Sequence, residues 1–284
     1  MASFQNQAVL SYNGQTTTSN ITTGEIVEVL SATKTAVSAQ YEVGGKVTYV
    51  YSIQNTGTTA FSNLSWEDDL GAYTVSGGAQ EVTPLTYVED SLCYYVNGIL
   101  QPTPTIQQSS PLEVLGIQIP ANGNAMLIYE ATINSFAPLT KGSTITNTAV
   151  LGDATRISPV SASETIQIKE AANLTISKSL SPTTVTENGQ ITYTFTIQNF
   201  GNEEAGTEAN VVISDMFNPI LNNISVTYNG GVLPTTSYSY DQDNGQFETN
   251  PGVITVPEAS FTQLDTGEWQ ITPGVSTLIV TGTL

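Results

Sequence analysis

Two stretches of this chain alternate strictly between apolar and polar positions. In 47–53 the residues Val47, Tyr49, Tyr51 and Ile53 share one parity, and in 191–197 Ile191, Tyr193, Phe195 and Ile197 do the same. A period of two is the mark of a strand with one buried face. No stretch of ten or more residues has a helical period, and Thr, Ser, Asn, Val, Ile and Tyr dominate the composition. These types suit half-buried pleated strands, so the fold expected is all-β.

The two stretches belong to an internal repeat. KTAVSAQYEVGGKVTYVYSIQNTG (34–57) aligns without a gap on KSLSPTTVTENGQITYTFTIQNFG (178–201), offset by 144 positions from Lys34 to Lys178. Gly45 then falls on Gly189, Tyr49 on Tyr193 and Asn55 on Asn199. With small gaps, 63–68 matches 210–215, 95–100 matches 228–233, and Leu127-Ile128 matches Leu278-Ile279. Here the second copy stops, while the first runs on through two more strands, Ile145–Leu151 and Glu164–Ile168. Their counterparts stand before the first copy: Gln5–Leu10 resembles Thr146–Leu151, and Glu25–Val29 resembles Glu164–Ile168. The chain therefore reads as an N-terminal donor β-hairpin (1–31), a complete Ig-like sandwich (32–170) and an incomplete one (171–284). Asn-Gly pairs at 13–14, 97–98, 188–189 and 229–230 are read as tight turns.

A sandwich short of two strands exposes part of its core and two strand edges. The links Val29–Lys34 and Lys169–Asn173 are short, so a hairpin with no slack cannot cross the intervening domain. Donation to the next molecule is the expectation, and a heterologous contact that does not close grows into a filament. The other reading is a fragment of a longer surface array.

Three polar residues of each copy stand at apolar positions. Lys34 shares parity with Leu30, Ala32 and Ala36; Asp68 with Leu64, Trp66 and Leu70; Asn147 with Ile145, Ala149 and Leu151. Lys178, Asp215 and Asn6 repeat the pattern. Burying unpaired charge is costly, and desolvation drives a lysine towards neutral amine and an aspartate towards neutral acid. A neutral amine held beside a carboxamide can displace ammonia and leave an isopeptide bond. In this reading Asp68 and Asp215 shuttle protons, Lys34 joins Asn147 within one chain, and Lys178 joins Asn6 of a neighbour. The alternative is a plain buried salt bridge or hydrogen-bonded cluster.

Charge narrows the partners. Six Lys and Arg (five lysines and Arg156) against 25 Asp and Glu give a net charge of −19, which disfavours nucleic acid and anionic membrane. With no histidine and one cysteine, Cys93, there is no His-based triad, Cys/His zinc site or internal disulfide. Cys93 is expected as a small buried hydrophobe. No cofactor or metal is expected. Asp241–Gly245 has its glycine one place early for a calcium loop, with Gly252 where the bidentate Glu would stand, so it reads as a turn. Adjacent Glu67, Asp68 and Asp69 face opposite ways along a strand. Met1–Gln5 lacks the basic and apolar regions of a signal peptide, and no segment is apolar enough to span a bilayer.

The Lys-bearing first strand, the G-x-[IV]-T-Y-x-[FY]-x-I-x-N-x-G strand, VVISD and TNTAVL resemble the bacterial surface repeat catalogued as domain of unknown function 11. The resemblance covers nearly the whole chain. Its two-domain organisation is also similar to the ribbon-forming spore-appendage proteins of clostridia, and the Lys–Asp–Asn sets to those of Gram-positive pilus domains. The resemblance implies a non-enzymatic fibre subunit on a cell or spore surface, with further copies of itself and an anchoring protein as partners. The alternative is a surface-anchored adhesin that does not self-polymerise.

Overall fold

The structure is a computed structural model and describes residues 2–75, 77, 78, 80–152 and 159–284; Arg156 lies outside them. The described residues contain strands and two short 3-10 turns but no α-helix, as the alternation requires. They form two β-sandwiches, each with its own apolar core.

In the first sandwich one sheet runs, edge to edge, Ile99–Gln101, Cys93–Val96, Asn124–Ile133, Lys46–Asn55 and Leu30–Ala36. The facing sheet runs Thr105–Ser109, Leu112–Ile119, Phe61–Asp68, Thr144–Gly152, Val160–Ile168 and Gln40–Tyr41. Between them Tyr49, Tyr51, Trp66 and Tyr129 are fully buried, with Trp66 tilted against Tyr51 and edge-on to Tyr129. Large aromatic area of this kind supplies much of such a core.

The second sandwich repeats the first sheet as Leu174–Ser181, Gln190–Asn199, Gly274–Thr283, Asn222–Tyr228 and Gly231–Val232. Its facing sheet has three strands, Ser214–Met216, Gln246–Thr249 and Tyr238–Tyr240. Phe61–Asp68 pairs on both sides, with Leu112–Ile119 and with Thr144–Gly152. Among the described residues Ser214–Met216 pairs only with Gln246–Thr249, and its other edge is open.

Repeat residues Asn55 and Asn199 do the same structural work. Asn55 Nδ2 donates to the carbonyls of Thr59 and Pro120, and its Oδ1 accepts from Gly57 N. Asn199 Nδ2 donates to Glu203 and Pro257, and its Oδ1 accepts from Gly201 N and Asn173 N. Each buried carboxamide closes the turn after its strand, and an unpaired one would cost roughly 1–3 kcal/mol per orphaned group.

The links enter at opposite poles of the first sandwich. Leu30 pairs with Asn55, at one end of the ten-residue strand Lys46–Asn55, and Val29 accepts from Thr56 N. Lys169 N donates to Tyr41 at the other end, where Gly45 meets Ile133. At ~3.3 Å per residue that strand separates the links by about 30 Å. The second domain also reaches back. Its hairpin Ser260–Gln263/Trp269–Thr272 packs Phe261 and Trp269 on the first core, Trp269 N donates to Ser135 O, and Gln263 Nε2 donates to Tyr73 OH. At the tip, Gly267 (φ +86°) lies so close to Val75 and Val82 that a Cβ would collide with both.

The N-terminal segment folds as a hairpin, Ala2–Asn6 on Thr22–Ile26 and Val9–Tyr12 on Gln15–Thr18, with one extra residue on the returning side between them. Its register corrects the repeat alignment. Asn147 pairs with Glu164, but Asn6 pairs with Thr22 and Glu25 with Ser3. Thr22–Ile26, not Glu25–Val29, therefore takes the place of Glu164–Ile168, because cross-strand pairing rather than residue likeness sets the register. Two smaller expectations also shift. Cys93 is half-buried rather than buried. Asn13-Gly14, Asn97-Gly98 and Asn229-Gly230 have paired positive φ, whereas 188–189 closes a turn by Gly189 N to Thr186 O without it.

Candidate crosslinking site

Strand pairing brings Lys34, Asp68 and Asn147 from three strands into the first core. Lys34 lies opposite Tyr51, Asp68 opposite Ala149 and Asn147 opposite Glu164. Lys34 Nζ donates to Asp68 Oδ2 at 2.5 Å, and neither side chain reaches solvent. Asp68 Oδ1 accepts from Leu70 N. The ammonium lies 5.0 Å from the centre of the Tyr49 ring. Burial pushes the Lys34 amine down and the Asp68 carboxyl up, each partly offset by the other's charge and hydrogen bond. Both shifts favour a neutral pair, the state in which an amine is nucleophilic.

Asn147 meets this pair through Tyr129. Asn147 Nδ2 donates to Tyr129 OH at 3.0 Å, and Tyr129 OH donates to Asp68 Oδ2 at 2.5 Å. Asn147 Oδ1 and the polar ends of Tyr49 and Trp66 are buried with no hydrogen-bond partner among the described residues. Unpartnered polar atoms in a sealed core are uncommon and go with chemistry or strain. Sequence reasoning missed Tyr129. Its signal lay in the repeat alignment: carrying Leu127-Ile128 on Leu278-Ile279 one residue further sets Tyr129 against Val280.

In the second sandwich Lys178 and Asp215 again form an ion pair by hydrogen bond, and Lys178 sits over the Tyr193 ring at 4.3 Å. Here the lysine side chain is 38% exposed, against none for Lys34. Every residue of Leu174–Ser181 is exposed, Ile176 at 59%. The strands that cover Leu30–Ala36 have no equivalent over it among the described residues. Asn6 does not join this site within the chain. It stands exposed on the hairpin, beside Phe4 (54% exposed) and Leu10 (61%) on the same strand side.

Asp241–Gly245 is a turn, with Asp241 Oδ1 accepting from Asp243 N and Oδ2 from Asn244 Nδ2. Among the described residues no three His, Cys, Asp or Glu groups are placed to hold a metal, and no helix is long and apolar enough to cross a membrane.

No family model matches the sequence, and no curated protein matches it. Among solved structures the chain is similar to the major pilin subunit of Bacillus cereus (9% identity, 96% of this chain and 73% of that one, TM-score 0.38). It is also similar to a fragment of the major pilin of Streptococcus agalactiae (10% identity, 87% and 91%, TM-score 0.36). A collagen-binding domain of a Staphylococcus aureus adhesin matches at 11% identity over 50% of this chain and 99% of that one, TM-score 0.31. Similarity this remote carries no inference about activity.

Proposed function

We propose that the chain is a non-enzymatic structural subunit that polymerises head to tail into a surface fibre of pilus or spore-appendage type. The observation that carries this reading is a matched pair of unsatisfied surfaces on one chain. The hairpin holds Phe4, Asn6 and Leu10 exposed at one pole, and the second sandwich leaves the Leu174–Ser181 face and the Ser214–Met216 edge uncovered. The first sandwich supplies the pattern for their union, because there the equivalents Ile145, Asn147, Ala149 and Leu151 are buried, and the strand paired with theirs, Val160–Ile168, packs along the Lys34 strand.

With the links about 30 Å apart, the hairpin fills the groove of another copy and not of its own chain. The contact is heterologous and propagates. Burying each large side chain of such a face is worth roughly 1.5–3 kcal/mol. Docking places Asn6 where Asn147 stands, against Lys178 and Asp215. Attack of the Lys178 amine on the Asn6 carboxamide then seals the joint with loss of ammonia, while Lys34 and Asn147 seal the first domain.

Boiling the full chain in denaturant, followed by a denaturing gel and intact mass, tests the whole reading. Expected is a ladder at multiples of the subunit mass, one ammonia lighter per bond, with a Lys178–Asn6 branched peptide on digestion. Asn6→Ala should assemble and dissociate on boiling; an Asn6→Ala polymer that survives would sink the assignment. A single band of full calculated mass from a protein that also scatters as a monomer returns the chain to the adhesin class.

A further inference from the structure

We propose that Tyr129 is the acid that delivers the proton to the leaving ammonia in the first domain, and that the second domain lacks this group. The proposal rests on the covalent reading above and concerns how the bond is made.

Tyr129 OH stands in one hydrogen-bonded line between the two reacting side chains. On one side it donates to Asp68 Oδ2, the atom that also accepts from Lys34 Nζ; on the other it accepts from Asn147 Nδ2, the leaving nitrogen. The order is Lys34 Nζ, Asp68 Oδ2, Tyr129 OH, Asn147 Nδ2. A carboxamide nitrogen has no basic lone pair until the carbonyl carbon is attacked, so in the ground state it donates to the tyrosine. Once the carbon is tetrahedral, that nitrogen becomes an amine, and the tyrosine hydroxyl is the neighbour able to protonate it.

The protons balance along this line. Lys34 first gives one proton to Asp68, leaving amine and acid. The amine attacks Asn147 Cγ, giving an oxyanion and a cationic secondary nitrogen. Tyr129 passes its proton to Nδ2 and is refilled by Asp68. The oxyanion collapses, the Cγ–Nδ2 bond breaks and ammonia leaves. The Asp68 carboxylate then takes the surplus proton from the new amide nitrogen and ends as a neutral acid, the form its burial favours.

The repeat shows the same site without the hydroxyl. Tyr129 pairs with Tyr49 across the sheet, and Val280 pairs with Tyr193. Tyr129 stacks on Tyr49 with ring centres 5.6 Å apart. Over Tyr193 that space is taken by Phe217, from the opposite sheet, at 4.9 Å. Phe217 holds the place of Leu70, two residues after the aspartate. The second site thus keeps an aromatic wall and loses its proton donor. Bond formation within the first domain is therefore fast, and the bond between subunits is slow enough for docking to precede it.

The test is timed cell-free synthesis of the full chain, with quenched samples digested and the Lys34–Asn147 and Lys178–Asn6 branched peptides quantified by mass. General acid catalysis contributes about 100-fold or more, so Tyr129→Phe should slow the first bond by about that factor. The slowed bond should form in protein whose far-ultraviolet dichroism matches the wild type. Unchanged kinetics in Tyr129→Phe would overturn the relay and leave the fibre reading standing. Absence of the Lys34–Asn147 peptide from wild type would overturn the relay and the covalent reading of the first domain, while polymerisation tests the fibre reading separately. The reciprocal exchange, Val280→Tyr with Phe217→Leu, does not touch the first domain. It should speed the Lys178–Asn6 bond by about tenfold or more; no gain in a double variant that still polymerises would count against the relay.

Discussion

Lys34 and Lys178 occupy the same place in their sheets, across from Tyr51 and Phe195, and differ in what lies over them. Two further strands shut the first away from solvent, while the second stands in an open groove beside an unpaired strand edge. The same pair of side chains is thus sealed in one sandwich and open to solvent in the other.

The groove should be separable from the stability of the chain. Ile176 is exposed, so Ile176→Asp should change the thermal stability of the monomer by no more than about 0.5 kcal/mol. In the filled groove that aspartate would face apolar side chains, at a cost of several kcal/mol. Sedimentation should show monomers where wild type gives polymers. Its counterpart Ala32 packs on the first core, and Ala32→Asp should instead lower the stability of the monomer itself.

A peptide of residues 1–31 should act as a chain terminator. In excess it competes for the groove, and growth stops at one subunit carrying one peptide, linked through Lys178. Intact mass after boiling should read subunit plus peptide less two ammonias, one for the Lys34–Asn147 bond inside the subunit and one for the Lys178–Asn6 bond. The same peptide with Asn6→Ala should inhibit growth equally under native conditions and be released by boiling. A wild-type peptide that leaves polymer length unchanged would point to a joint made elsewhere.

Much of this was legible in the sequence because strand patterning is local. Period-two alternation locates the central strands, the ungapped part of the repeat pairs Lys34 with Lys178, its gapped continuation pairs Asp68 with Asp215, and parity puts them on the core face. Two things were not legible. Hairpin register depends on cross-strand hydrogen bonds and one extra residue near Asn20, so residue likeness alone matches Glu25 to Glu164 where Thr22 holds that place. The hydroxyl between Asp68 and Asn147 comes from a strand more than sixty positions beyond Asp68, opposite Tyr49. Only the three-dimensional pairing of four strands puts Tyr129 on the line between lysine and asparagine.

The back-reaching hairpin of the second domain should make the two sandwiches melt together. Trp269 and Phe261 pack on the first core, and Gln263 and Trp269 both donate to Tyr73 OH. Trp269→Ala removes a half-buried ring and one of those bonds, a loss of about 2 kcal/mol. Calorimetry should then resolve two transitions in place of one, with scattering showing a wider spread of interdomain angles. Gly267→Val should do the same by colliding with Val75 and Val82.

Stability against pH should report whether the Lys34–Asp68 pair still binds a proton. Burial lowers the folded pKa of Lys34 and raises that of Asp68. Alone, the lysine shift would make stability rise as pH climbs towards 10.5, and the aspartate shift would make it fall as pH climbs above 3.8. As an unlinked pair they hold one proton between them when folded, as ammonium with carboxylate or amine with acid. The unfolded chain also holds one over that interval, so the pair contributes no slope. Once Lys34 is an amide, only Asp68 is left. Its contribution is then fully present below 3.8 and is lost, at about 1.4 kcal/mol per pH unit, as pH rises towards the folded pKa that burial has raised. Denaturant unfolding from pH 4 upward should therefore show wild type losing stability with pH relative to Asn147→Ala, which cannot form the bond. Curves that stay parallel would show that Lys34 has kept its proton-binding amine and that the first domain is held by a salt bridge alone.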